Sequence, residues 1–184
     1  MVRLSSAQRS GLPVGAPVAT PSVWPAWFGL GARLIVGVVW IWAGLLKLPD
    51  PATSIESVRA YELLPASLVE PVGYLLPALE VVIGLALVAG LMTRGSAVLS
   101  ALLLVAFIIG ISSAWARGLE INCGCFGDGG ANPDAASQYP WEIARDVGLL
   151  ALSIFLVRLR RSRFALDSFL FRPAAVSAPT DDLM

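Results

Sequence analysis

Cys123 and Cys125 are the only two cysteines in this 184-residue chain, and a single glycine separates them in Asn122-Cys123-Gly124-Cys125-Phe126-Gly127, a polar loop between two long apolar runs. Consecutive Cα atoms lie 3.80 Å apart, so two cysteines with one residue between them have Cα atoms at most ~7 Å apart, at the edge of disulfide reach. Gly124 makes the tight backbone accessible. A bond across so small a ring is strained and relatively oxidising, which suits exchange better than stapling. A bridge that closes almost no loop also gains little chain entropy. The expectation is a redox-active pair that passes oxidising or reducing equivalents to a partner thiol. An inert bridge, an incidental pair of free thiols, or metal binding between chains are the alternatives.

The chain contains no histidine. That removes His-ligated haem, His-based zinc sites and Ser-His-Asp or Cys-His catalysis, and two cysteines cannot complete a four-thiolate zinc or iron–sulfur site within one chain. Chemistry is left to Cys, Glu, Asp, Lys, Arg and Tyr. No metal is expected.

Charged residues embedded in the apolar runs are the second set of candidates: Lys47, Glu80, Arg145 and Asp146. A carboxylate such as Glu80, roughly 12 Å of helix rise beyond Val72, needs a partner or a proton. Arg145 reaches Glu80 if the second and fourth spans are adjacent, and Lys47 then reaches Asp146. As a group they could relay protons during thiol oxidation or lower a cysteine pKa. The plainer reading is an ion-pair network that fixes helix register. Arg33 is expected to snorkel to the interface. Tyr61 and Tyr139 fall outside the spans, with no spacing that argues for a role at the site.

The elements that must position these residues are membrane helices. Hydrophobic residues make up 57% of the chain and charged ones 14%, with a mean hydropathy of +0.75. That composition is a membrane protein's. Basic and acidic residues balance at 13 each, so no basic field favours nucleic acid.

The first span is expected at Trp27 to Leu48, where Pro49 and Pro51 stop it. Residues 52–70 mix charge with apolar residues at helical spacing, as in a short interfacial helix that Pro65 bends or ends. The second span runs from about Val72 to Met92, interrupted by Pro77 and Glu80, and the third from about Ser96 to Trp115. The turn Thr93-Arg94-Gly95 between them makes antiparallel neighbours. The fourth runs from Trp141 to Val157. Small residues at Gly37, Gly44, Gly84, Ala86, Gly90 and Gly110 would let the helix backbones approach closely. Trp40 and Trp42 could line a quinone or lipid pocket, although packing is the commoner role.

Arg3, Arg9, Arg94, Arg158, Arg160, Arg161 and Arg163 would lie on one side of the membrane, so both termini are expected in the cytoplasm. The cysteine loop then faces the oxidising compartment. The expected architecture is all-α: an integral membrane four-helix bundle over residues 25–160 with an extracytoplasmic interfacial helix between spans 1 and 2. A flexible cytoplasmic tail at 1–24, without a secretory cleavage site, and a second at 161–184 flank it.

Several segments in order resemble the MauE branch of the DoxX-like membrane proteins. They are Ala43-Gly44-Leu45-Leu46-Lys47-Leu48-Pro49-Asp50-Pro51, Ala60-Tyr61-Glu62-Leu63-Leu64-Pro65, Leu76-Pro77-Ala78-Leu79-Glu80-Val81-Val82-Ile83-Gly84, Cys123-Gly124-Cys125-Phe126-Gly127, and Arg145-Asp146. The resemblance spans about residues 27–158. It implies a four-helix membrane bundle allied to methylamine utilisation proteins, assisting maturation or disulfide formation of a secreted dehydrogenase beside a thioredoxin-like or other secreted redox partner. Carried over by position, Cys123 and Cys125 are the thiol pair, and Lys47, Glu80, Arg145 and Asp146 the charged positions. Three readings remain beside thiol–disulfide exchange. DoxX-like relatives suggest a subunit of a quinone-linked oxidoreductase, with quinone as cofactor; the others are a non-catalytic assembly factor and a transporter.

Overall fold

A computed structural model describes residues 24–159. The tails expected at 1–24 and 161–184 lie outside the described residues, apart from Trp24 at the start of the first helix, as do Arg3, Arg9, Arg160, Arg161 and Arg163.

Five helices follow one another: α1 (Trp24–Lys47), α2 (Pro51–Ala60), α3 (Ala66–Ala89), α4 (Thr93–Ala116) and α5 (Ala135–Arg158). The described residues are all-helical except for loops and one isolated bridge between Ile121 and Ala131. Three helices are long and apolar enough to cross a membrane, over Trp27–Lys47, Ala66–Ala89 and Thr93–Ala116. α5 is equally long but carries Glu142, Arg145 and Asp146 in its first half. α1 packs against α3 and α5, α4 packs against the same two, and α2 lies on α3. The outward faces are apolar, with Trp42, Leu75, Val82, Leu102 and Ile109 all more than half exposed, as lipid-facing residues are.

Close approach of α1 to α3 depends on missing side chains. A Cβ on Gly37 would sit 2.9 Å from the Gly84 carbonyl, one on Gly84 2.6 Å from the Gly37 carbonyl, and one on Gly44 2.7 Å from that of Pro77. The expected small-residue contacts therefore form at these three glycines. Gly90 does something else. At φ 73° it caps α3, and the amides of Gly90 and Leu91 return to the carbonyls of Leu87 and Ala86 in a Schellman-type ending. The α3–α4 turn is therefore Gly90-Leu91-Met92, three residues earlier than the sequence suggested. Gly110 faces the Tyr61 ring instead, which a Cβ there would meet at 3.5 Å.

Pro65 begins a helix rather than ending one. It is the N-cap of α3, which starts at Ala66 and runs through both Pro71 and Pro77. Pro77 has no amide to give the carbonyl of Gly73, one turn back. Ser54 of α2 supplies the missing donor, its Oγ giving a hydrogen bond to the Gly73 oxygen at 2.9 Å. Gly73 in turn admits Ile55, which a Cβ there would meet at 2.6 Å. Asp50 and Pro51 start α2 as N-cap and N1, with Asp50 accepting from the Thr53 amide and hydroxyl at 3.2 and 2.6 Å. The Pro-Asp-Pro sequence thus both stops α1 and starts α2.

At the opposite end from the cysteine loop, Arg33 is buried at 1% exposure and donates to the carbonyls of Leu87 (2.9 Å) and Val88 (3.2 Å). It satisfies the negative C-terminal end of α3 instead of snorkelling. Deeper between the helices, Trp40 Nε1 donates to Ser100 Oγ at 2.7 Å, and Ser100 and Ser153 hydroxyls lie 3.0 Å apart. Trp40 is therefore a packed interior residue, while Trp42 faces outward.

Candidate functional site

α1 ends at Lys47, level with Glu80 in α3, so its neighbours extend past it. α2 and the cysteine loop together cover its end. A Cβ on Gly127 would touch Leu46 at 3.4 Å, and one on Gly129 would meet Thr53 and Ser57 at 2.8 Å. The loop is pinched shut at its base: the Asn122 amide donates to the Gly130 carbonyl (3.0 Å), the Asn132 amide to that of Glu120 (2.8 Å), and Asn132 Nδ2 to Asn122 Oδ1 (2.7 Å).

Two tyrosines tie this loop to the helices. Tyr61 donates its hydroxyl to the Cys123 carbonyl at 2.8 Å. Tyr139 is 1% exposed; its hydroxyl accepts from the Ile121 amide at 3.3 Å and lies 2.7 and 2.8 Å from the carbonyls of Leu119 and Ile121. Arg117 adds a hydrogen bond to the Tyr61 carbonyl.

Within the loop, Gly124 turns the chain at φ 66°, a conformation that L side chains rarely adopt. Ser57 stands 2.7 Å from where its Cβ would be, so both conformation and space demand glycine. The turn brings the cysteines together as free thiols. The Cys125 amide donates to Cys123 Sγ at 3.3 Å, and Cys125 Sγ lies 3.8 Å from the Cys123 carbonyl oxygen.

The two thiols differ in environment. Cys123 is partly exposed, and its thiol is held below the ordinary range by a hydrogen bond from the Cys125 thiol, which with the Cys125 amide outweighs burial and the charge of Glu142. Cys125 is buried at 7% exposure among Ile111, Ala114, Ala135 and Tyr139. Its thiol is pushed up by that same hydrogen bond to Cys123, by burial, and by the negative charge of Cys123 and Asp146. One thiol is suited to attack and the other to keeping its proton.

Both line an open cleft of about 430 Å³, together with Asp128, Trp141, Glu142 and Arg145. Beneath it, a crevice lined by Trp40, Phe107, Cys125 and Asp146 holds about 20 Å³, room for one water.

The charged residues pair differently from the sequence expectation. Lys47 Nζ lies 2.7 and 3.0 Å from the two oxygens of Glu80, and both residues are buried. Arg145 binds its own neighbour: Nε and Nη2 lie 2.9 and 2.8 Å from Asp146 Oδ1. The reason is helix order. α1 stands between α3 and α5, so Lys47 reaches Glu80 first and Arg145 is left with Asp146. Arg145 also stacks on the Phe126 ring at 4.7 Å, and Lys47 lies 5.6 Å from the Phe107 centroid. Arg145 and Asp146 thus belong to the cysteine site, while Lys47 and Glu80 form a separate pair one helix away, with Lys47 in electrostatic reach of Asp146.

Sequence reasoning passed over Glu142, which lies beside Cys123 in the cleft and keeps a buried Oε2 without a hydrogen-bond partner. A signal was available. Glu142 and Asp146 are four residues apart and so share one face of α5.

No curated protein and no solved structure matches the chain. The family model for methylamine utilisation protein MauE matches residues 25–159, from just inside α1 to just past the end of α5. Its bounds take in all five helices, the Lys47–Glu80 pair and the cysteine loop, and by that match the chain belongs to the MauE family of integral membrane proteins, of the methylamine utilisation type.

Proposed function

We propose that this protein is a membrane thiol–disulfide component in which Cys123 and Cys125 exchange electrons with an extracytoplasmic protein partner. The observation that carries the reading is the asymmetry of the pair: a partly exposed Cys123 at an open cleft, its sulfur accepting from the Cys125 amide, backed by a buried Cys125. Cys123 forms the mixed disulfide and Cys125 resolves it. The partner is a thioredoxin-like or other secreted redox protein, allied to maturation of secreted enzymes such as methylamine dehydrogenase. Family membership supports the link to methylamine utilisation.

In this reading residues 25–160 form a four-span bundle in the cytoplasmic membrane, with α5 as the fourth span and α2 at the outer interface. The tails, 1–24 and 161–184, are cytoplasmic and the cysteine loop extracytoplasmic. Lys47, Glu80, Arg145 and Asp146 support the site. The crevice below Cys125 is too small for a quinone ring, so it lends the quinone-linked alternative no support.

Gel-shift alkylation of membranes before and after reduction tests the proposal. Cys123 and Cys125 should change oxidation state together; cysteines that stay reduced under oxidising conditions would contradict it.

A further inference from the structure

Two carboxylate oxygens near the thiols are buried without a hydrogen-bond partner: Glu142 Oε2 and Asp146 Oδ2. Arg145 engages only Oδ1 of Asp146, a residue 2% exposed. An orphaned buried carboxylate oxygen is costly, and a proton delivered there removes the cost. The two acids lie one turn apart on the face of α5 turned to the loop. Glu142 is beside Cys123, and Asp146 faces Cys125 across the crevice that both line.

Closing a Cys123–Cys125 bond releases two protons, and Cys125, at 7% exposure, meets little solvent that could take its own, whereas Asp146 lines the same crevice. We infer that Glu142 and Asp146 are separate proton acceptors for the two thiols, Glu142 for Cys123 and Asp146 for Cys125. The assignment rests on the exchange reading above. In the first step the Cys123 proton passes to Glu142 and the Cys123 sulfur attacks one sulfur of a disulfide. A mixed disulfide forms, the original S–S bond breaks, and the departing thiolate takes the proton from Glu142. In the second, Cys125 gives its proton to Asp146 and its sulfur attacks that of Cys123. The Cys123–Cys125 bond forms, the mixed disulfide breaks, and the second thiolate takes up a proton at the cleft while Asp146 releases its own. Two electrons and two protons have then passed to the oxidant.

The test uses the reduced full-length chain in detergent, mixed with excess oxidised glutathione, quenched with acid and weighed by mass spectrometry. Glu142→Gln should slow uptake of the first glutathione, and Asp146→Asn should slow loss of that glutathione so that the mixed disulfide accumulates, each on the order of 10²-fold near neutral pH. Glu142→Asp and Asp146→Glu should restore most of the respective rate. Resistance of Cys125 to alkylation in the reduced variants reports an intact fold. Variants that leave both steps at the wild-type rate, or slow both steps alike, overturn the assignment while the exchange reading stands. A wild-type chain that never takes up glutathione removes the exchange reading and the assignment with it.

Discussion

The backbone amide of Cys125 points at the sulfur of Cys123 from 3.3 Å, so one cysteine of the pair stabilises charge on the other. That relationship follows from Gly124, whose positive φ folds the three residues back on themselves. It makes the two thiols unequal although they stand almost side by side in sequence.

The first expected outcome concerns that inequality. Cys123 should alkylate well before Cys125, with a rate that rises with pH about a midpoint below the ordinary thiol range, since the thiolate is the reacting form. Cys125 should react only at more alkaline pH or after unfolding. Differential labelling followed by peptide mass spectrometry across pH measures both. Equal rates would contradict the asymmetry.

Gly124 can be compared with Gly118, which has nearly the same φ, 67° against 66°, but nothing within 4 Å of its would-be Cβ. Gly118→Ala should cost only the left-handed backbone term, about 1–2 kcal/mol. Gly124→Ala should cost more, because Ser57 must also move, and it should slow thiol exchange as Gly118→Ala does not. Thermal unfolding of both variants in detergent measures the difference.

Ser54 and Pro77 make a further pair. Ser54→Ala leaves the Gly73 carbonyl without its donor and should cost about 1–3 kcal/mol. In a Pro77→Ala background residue 77 regains its amide, and the same Ser54 change should cost less. A double-mutant cycle on unfolding free energies gives the coupling. Additive costs would show that the hydroxyl does not replace the missing helical bond.

Lys47 and Glu80 are buried together, so removing one partner should be worse than removing both. Lys47→Met alone should destabilise by about 3–5 kcal/mol, whereas Lys47→Met with Glu80→Leu should recover most of that loss. Equal losses in the single and double variants would mean that the pair does more than neutralise itself.

Legibility in the sequence varied with how local the information was. The loop, the stop at Pro49 and the helical character of the apolar runs depend on neighbouring residues, and the ordered segments from Ala43 to Asp146 were enough to suggest the family. Partner choice among the charged residues was not local. Lys47 meets Glu80 because α1 stands between α3 and α5, an order that no spacing encodes. Arg33 read as a snorkelling cation because the carbonyls it caps are far away in sequence, at Leu87 and Val88. Pro65 read as the bend or end of the interfacial helix, yet it caps α3, with α2 lying alongside. Glu142 was overlooked because its partner thiol lies in a loop rather than on a helix face.

Mixed-disulfide trapping tests the central claim most directly. With Cys125→Ser the resolving thiol is gone, so Cys123 should hold an extracytoplasmic protein in a covalent complex seen on non-reducing gels and released by reductant. Cys123→Ser should capture nothing. If the Cys125→Ser chain traps no protein from cells producing it, or Cys123→Ser traps the same protein equally well, Cys123 is not the attacking thiol and the exchange account fails.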